Sequence, residues 1–267
     1  MIESMDLGLD GKTALVTAAS EGLGFACAAR LVKAGCAIAI CSRRAGPLSA
    51  ARDRLKRDAA HDVLALQADI ADLQSVERLV AQVLQQFGRL DILVVNSGHV
   101  AYGSLEELTE QQWYEAFELL LMSAVRLARL VIPAMRANKG GDIVFLGSST
   151  AREPPPHLLL STALRLGVVG LTRTLARAVA PDNIRINLVA PGYFDSGRVN
   201  ARVRALMQAE GLSHREAALR IAGDLPVGRI GGPEELAELV AFVVSRKAPF
   251  MTGSTIAIDG GGSRGLF

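Results

Sequence analysis

The residues best placed to do chemistry begin at Thr17. The run Thr17-Ala18-Ala19-Ser20-Glu21-Gly22-Leu23-Gly24 follows a short apolar segment and leads straight into a helical pattern. A helix N-terminus offers unpaired N–H groups and a partial positive charge, and small side chains let a phosphate reach the backbone. The loop is therefore suited to an anion such as a pyrophosphate, although a tight strand-to-helix turn would use the same glycines. A second apolar run ends at Cys41-Ser42-Arg43-Arg44. At that position of a dinucleotide-binding unit an acidic residue would bond the ribose 2′-hydroxyl of NAD, whereas an arginine accommodates the 2′-phosphate of NADP. Arg43 favours NADP over NAD. Glu21 opposes it, because a carboxylate repels a phosphate, and Arg43 with Arg44 could equally form a solvated helix entry.

These residues need elements to hold them. Thr13–Thr17, Ala37–Cys41, Val63–Ala68, Leu90–Val95, Asp142–Leu146, Ile184–Val189 and Thr255–Ile258 are short, partly β-branched and continuously apolar, and helical patterns separate them. Such strands suit a parallel sheet covered on both faces, with helices as crossovers. The expectation is an α/β, doubly wound, seven-stranded sheet. In the first helix Leu23, Cys27, Leu31 and Ala34 share one face, and Gly35 follows as a left-handed cap. Asp72 is placed to cap the third helix, which ends at Gly88. Two long helical patterns follow, Gln111–Asn138 and Ser161–Ala180, and Pro154-Pro155-Pro156 makes a stiff, extended entry to the second. No linker or repeat divides the chain, so one domain over residues 1–267 is expected, with a helical insertion at Val199–Ala222.

Composition narrows the function classes. Half of the 267 residues are hydrophobic, 21% are charged, and 29 basic against 27 acidic residues leave a net charge of +2. That is ample material for a large core, and no Lys/Arg block suggests a nucleic-acid surface. Cys27, Cys36 and Cys41 lack metal-ligand spacing and read as buried free thiols in a reducing compartment. The N-terminus has no leader-like pattern, and no uninterrupted apolar run reaches the ~18 residues of a membrane helix. The expectations are no metal, no nucleic acid, no membrane and a cytoplasmic location.

From Gly11 to Gly261 the chain resembles the short-chain dehydrogenase/reductase family, a Rossmann fold. The family's Thr-Gly-x3-Gly-x-Gly loop corresponds to Thr17–Gly24, with Ala18 replacing the first glycine, a change the backbone tolerates if φ is negative. Asp69, followed by Ile70, corresponds to the carboxylate that accepts from the adenine amino group. Asn96-Ser97-Gly98 stands for the family's Asn-Ala-Gly. Pro191-Gly192 corresponds to the turn flanking the nicotinamide, and Ser196 to the threonine that contacts the carboxamide. Thr252-Gly253 and Asp259-Gly260-Gly261 match the flanks of the last strand. The resemblance implies cofactor contacts from Thr17, Ala19, Ser20, Glu21, Gly22, Leu23, Gly24, Ser42, Arg43 and Arg44, as well as those just named. A methyltransferase, another Rossmann-like class, would want an acid where Cys41-Ser42-Arg43-Arg44 stands.

The family's chemistry uses Asn, Ser, Tyr and Lys, and here only the serine is kept, as Ser148. The tyrosine position falls on Ser161, the lysine position on Arg165 and the asparagine position on Leu120. A phenol has a reference pKa near ~10 and can be tuned by a neighbouring cation, whereas an alcohol needs a dedicated base. Arg165 can hold the cofactor ribose but cannot relay a proton. The residues expected to be catalytic are Ser148, Ser161 and Arg165, with His99, Tyr102, His157 and above all Tyr193 as alternative proton donors near the nicotinamide. Leu158-Leu159-Leu160 suggests an apolar wall or helix core, and Phe194–Pro226 a substrate lid. The leading reading is an NADP(H)- or NAD(H)-dependent oxidoreductase of a ketone or secondary alcohol, like the 3-oxoacyl thioester reductases. The alternatives are a non-catalytic dinucleotide-binding relative and a redox-neutral lyase or epimerase. By analogy with the family, the two long helices would form a homodimer or homotetramer contact.

Overall fold

The computed structural model describes residues 6–265 apart from Pro156 and Asp224. Seven parallel strands form one sheet in the order β3-β2-β1-β4-β5-β6-β7. They are β1 Thr13–Val16, β2 Ala37–Ser42, β3 Val63–Gln67, β4 Ile92–Val95, β5 Gly141–Leu146, β6 Ile184–Pro191 and β7 Thr255–Ile258. The helices are α1 Gly22–Lys33, α2 Ala45–Leu55, α3 Leu73–Phe87, α4 Glu110–Phe117, α5 Ser123–Ala137, α6 Leu159–Val179, α7 Gly197–Glu210, α8 His214–Ala222 and α9 Pro233–Val244.

Side chains on a strand alternate between faces, and both faces here are apolar, which is why the strands read as unbroken hydrophobic runs. Val16, Ile38, Ile40 and Val94 pack with Leu31, Leu48 and Val240 of α1, α2 and α9. Leu15, Ala39, Leu93 and Phe145 pack with Leu79, Leu127 and Val168 of α3, α5 and α6 on the other face. The third helix starts as expected, with Ser75 N–H donating to Asp72 Oδ2 at 2.8 Å, and stops at Gly88 in the left-handed region.

The structure departs from the sequence reading in three places, and a fourth lies partly outside the described residues. The 111–138 pattern is two α-helices joined through a π-helical turn, Glu118–Met122, and Leu120 is buried in that turn. The 199–222 insertion is the pair α7 and α8, which builds its own small core from Val199, Val203, Ala217 and Ile221. Part of the stiff Pro154–Pro156 entry lies outside the described residues. The helical segment Leu159–Asp182 is long and apolar enough to cross a membrane by length and composition alone. In this fold Val168, Ala176 and Val179 of that helix belong to the core beneath the sheet.

Candidate active site

All seven strands point their C-terminal ends at one cleft of about 1490 Å³. This is where a doubly wound sheet leaves room, because the loops that follow the strands turn away to opposite faces. The lining runs from Ser42, Arg43, Arg44, Asp69 and Ile70 beside β2 and β3 to Ser148, Pro191, Gly192 and Tyr193 beside β5 and β6.

The loop after β1 combines residues that touch the cleft with residues that hold it in shape. Ala18, Ser20, Glu21, Gly22 and Leu23 line the cleft, whereas Thr17, Ala19 and Gly24 lie behind it. Thr17 is fully buried, and its Oγ1 donates to Asn96 O at 2.6 Å while accepting from Asn96 N–H at 3.0 Å. Asn96 Nδ2 donates to Ala18 O at 3.1 Å, so the ends of β1 and β4 are clamped together. A Cβ on Gly24 would meet Ala18 O at 2.6 Å and Asn96 Nδ2 at 2.7 Å, so only glycine fits beneath the clamp.

Ala18 overturns one expectation. Its φ is +46°, in the left-handed region, not at the negative angle that would make the substitution for glycine harmless. An L-residue held there costs on the order of 1 kcal/mol.

Does this loop fit a pyrophosphate? Among the described residues no side chain caps α1: its N-cap, Glu21, makes no capping bond. The first-turn N–H groups therefore face the cleft without a side-chain acceptor, beside a Gly22 whose missing side chain leaves open space. An anion satisfies such donors, and the positive end of the helix favours it.

At the outer rim Arg44 Nη2 meets Glu21 Oε1 at 2.9 Å, and Ser20 Oγ donates to Ser42 Oγ at 3.1 Å. The carboxylate expected to oppose a phosphate is thus paired with one of the two arginines expected to attract it. Asp69 Oδ1 accepts from Ala71 N–H at 3.0 Å, which fixes the carboxylate at the cleft wall.

Across the cleft, Ser148 Oγ accepts from Thr150 N–H at 3.2 Å and from Thr150 Oγ1 at 3.0 Å. Ser148 also lines the cleft. Arg165, half-buried on α6, donates through Nη1 to Leu146 O at 2.7 Å and through Nη2 to Ser97 Oγ at 3.4 Å. It therefore braces the ends of β5 and β4 while lining the cleft. Gly192 is obligatory for a different reason: a Cβ there would lie 2.7 Å from the Cβ of Asp259. Ser196 caps α7 and lines the cleft with Gly98 and Ser97.

Ser161 is not brought to the site. It is only 4% exposed, buried within α6, and is not among the cleft residues. Leu120 is likewise buried, and its neighbour Leu119 takes the place on the wall. His99, Tyr102, His157 and Tyr193 all line the cleft, and the rings of Tyr102 and His157 stack with centroids 6.3 Å apart. The apolar triplet divides: Leu158 faces the cleft, whereas Leu160 is fully buried.

The sequence reading did not single out Glu153, Arg202 and Arg264, which also line the cleft. Nothing in their local sequence marks them, since they come from a loop, from α7 and from the segment after β7. The three cysteines are buried, and burial pushes each thiol up to about 12, which leaves them unreactive. Among the described residues no group of three His, Cys, Asp or Glu side chains could hold a metal.

Comparison with known proteins agrees with this architecture. The family model described as short chain dehydrogenase matches residues 12–206. The chain is 31% identical to 3-oxoacyl-(acyl-carrier-protein) reductase FabG of Escherichia coli over 255 residues, 96% of this chain and 98% of that one. The L-sorbose reductase of Gluconobacter frateurii, solved with NADPH and L-sorbose, superposes with a TM-score of 0.95 at 33% identity, covering 98% of this chain and 100% of that one. A short-chain oxidoreductase from Pseudomonas aeruginosa PAO1, described as containing an atypical catalytic center, superposes with a TM-score of 0.90 at 30% identity, covering 96% and 98%.

Proposed function

The chain belongs to the short-chain dehydrogenase family, and from that premise we propose that it is an NADP(H)-dependent oxidoreductase interconverting a ketone and a secondary alcohol, with a proton donor other than residue 161. The observation that carries this reading is the pairing of an α1 N-terminus with no side-chain cap and Ser148 in one continuous cleft. A nicotinamide dinucleotide, when bound, supplies or accepts the hydride. The NADPH-bound relative and the two rim arginines support the choice of NADP over NAD.

The chain's own residues divide the remaining work. The first-turn N–H groups of α1 would hold the pyrophosphate, Arg43 and Arg44 the 2′-phosphate, and Asp69 the adenine. Arg165 would supply a fixed cation to the cofactor ribose. Ser148 would donate to the substrate oxygen and so stabilise negative charge developing on it. The proton comes from Tyr193, whose hydroxyl accepts from Arg202 Nη1 at 3.2 Å and so keeps its own proton to give.

NADPH consumption against a panel of ketones and 3-oxoacyl thioesters tests the reading. The expected result is turnover that Ser148→Ala lowers by at least about a hundredfold and Tyr193→Phe abolishes while NADPH still binds. The burial of Ser161 and Leu120 favours a second reading, a dinucleotide-binding protein without catalysis. Absence of turnover in the wild type, with activity gained by the double variant Ser161→Tyr/Arg165→Lys, would decide for it. We further propose a dimer through the outer faces of α4 and α6, where Tyr114 is 59% and Leu166 48% exposed. Light scattering tests this, since a dimer doubles the 28.2 kDa chain mass.

A further inference from the structure

Helix α7 places in the cleft a cation, Arg202, whose one task in the proposed redox chemistry is a single hydrogen bond to the Tyr193 hydroxyl. Arg202 lines the cleft on the β6 side, the side opposite the arginines after β2, so it belongs to the substrate end of the cavity. Tyr193 holds it in two ways: the guanidinium carbon stands 5.7 Å from the centre of the Tyr193 ring, and Nη1 donates to the Tyr193 hydroxyl at 3.2 Å.

No ion pair among the described residues includes Arg202, and the acids nearby on the cleft wall are already engaged. Glu153 accepts from Arg264 N–H at 2.6 Å. Asp259 accepts from Gly261 N–H at 3.1 Å and from Ser263 N–H at 3.0 Å. A guanidinium presents five N–H donors in a fixed fork that matches an oxyanion, and one contact to a phenol uses only one of them.

Resting on the oxidoreductase reading above, we propose that Arg202 is an anion clamp and that the substrate carries a carboxylate beside its carbonyl. Arg202 sits against Tyr193, so a carboxylate bound to it brings a carbonyl one or two carbons away to the proton that Tyr193 gives. Short 2-oxo and 3-oxo acids fit that span. Arg202 is here a substrate-positioning residue, and its role is separable from any support it lends Tyr193. A prop for Tyr193 acts equally on charged and neutral substrates, whereas a clamp acts on the charged ones alone.

The test pairs each of several 2-oxo and 3-oxo acids with its methyl ester in NADPH-consumption assays of the wild type, Arg202→Leu and Arg202→Lys. The clamp predicts that the wild type prefers the acids, with KM lower by on the order of tenfold to a hundredfold. The preference should disappear in Arg202→Leu and partly return in Arg202→Lys. Calorimetric titration of the NADPH complex with malonate, which cannot be reduced, supplies a readout independent of turnover. Malonate should bind the wild type and not Arg202→Leu, with both proteins still binding NADPH. An acid-to-ester ratio near one in the wild type, or a ratio unchanged by Arg202→Leu, overturns the clamp while leaving the oxidoreductase reading in place. If no carbonyl compound is turned over but malonate binds through Arg202, the oxidoreductase reading fails and the anion site stands. Loss of both signals in the wild type overturns both.

Discussion

Replacing Arg165 by leucine separates the two tasks assigned to that side chain. Its Nη1 bond of 2.7 Å to Leu146 O is short and charge-assisted, and Leu146 is only 5% exposed, so water cannot readily replace the lost donor. A hydrogen bond of this kind contributes about 1.5–3 kcal/mol. The second contact, 3.4 Å to Ser97 Oγ, is at the limit of useful geometry and contributes little. Arg165→Leu should therefore lower the unfolding free energy by about 2 kcal/mol, or roughly 4–8 °C in Tm. Ser97→Ala should stay within about 0.5 kcal/mol. Arg165→Lys keeps the charge without the fork and should fall between the two. In fluorescence titrations Arg165→Leu should weaken NADPH binding by at least about tenfold, a loss of ~1.4 kcal/mol, because the cation at the ribose is gone. Urea unfolding and the titration together check the argument. The reasoning is refuted if Ser97→Ala costs as much stability as Arg165→Leu, or if Arg165→Leu binds NADPH as the wild type does.

Three further outcomes follow from particular contacts. Ala18→Gly removes a strain of about 1 kcal/mol at a φ of +46°, of which the freer unfolded chain of glycine takes back about 0.4–1 kcal/mol, so stability in urea unfolding should stay level or rise by up to about 0.6 kcal/mol; a clear loss of stability would contradict the strain argument. Glu21→Gln frees Arg44 from an ion pair whose side chains are more than half exposed, so stability should barely move, while affinity for NADPH rises severalfold relative to NADH. Equal gains for both cofactors in paired titrations would refute the rim assignment. Asp142, at the opposite end of the sheet, is pushed up to about 6 by burial, although Arg185 at 2.7 Å, the more distant Arg246 and Lys12 pull it down. A carboxyl whose folded pKa exceeds its unfolded value contributes stability at low pH that is lost as pH rises through about 6. The stability of the wild type relative to Asp142→Asn should therefore fall between about pH 4 and 7, and a rise over that window would exclude this account.

The fold was legible in the sequence because its cause is local. A strand buried on both faces must be apolar at every position, as Leu15 and Val16 or Leu93 and Val94 are, and the crossover helices carry their own stops at Gly35 and Gly88. The anion loop was legible for the same reason, since small residues followed by a helix are sufficient to create the donors. What the sequence could not give was direction and distance between remote segments. Position 161 is occupied by a hydroxyl that sequence alone could place at the substrate, and only the packing of α6 shows it buried and away from the cleft. The left-handed angle of Ala18 is held beside a clamp between Thr17 and Asn96, two residues 79 positions apart. Arg202 carries no motif at all: α7 folds it against Tyr193 in the cleft, and contacts of that kind are set by tertiary packing, not by the residues on either side.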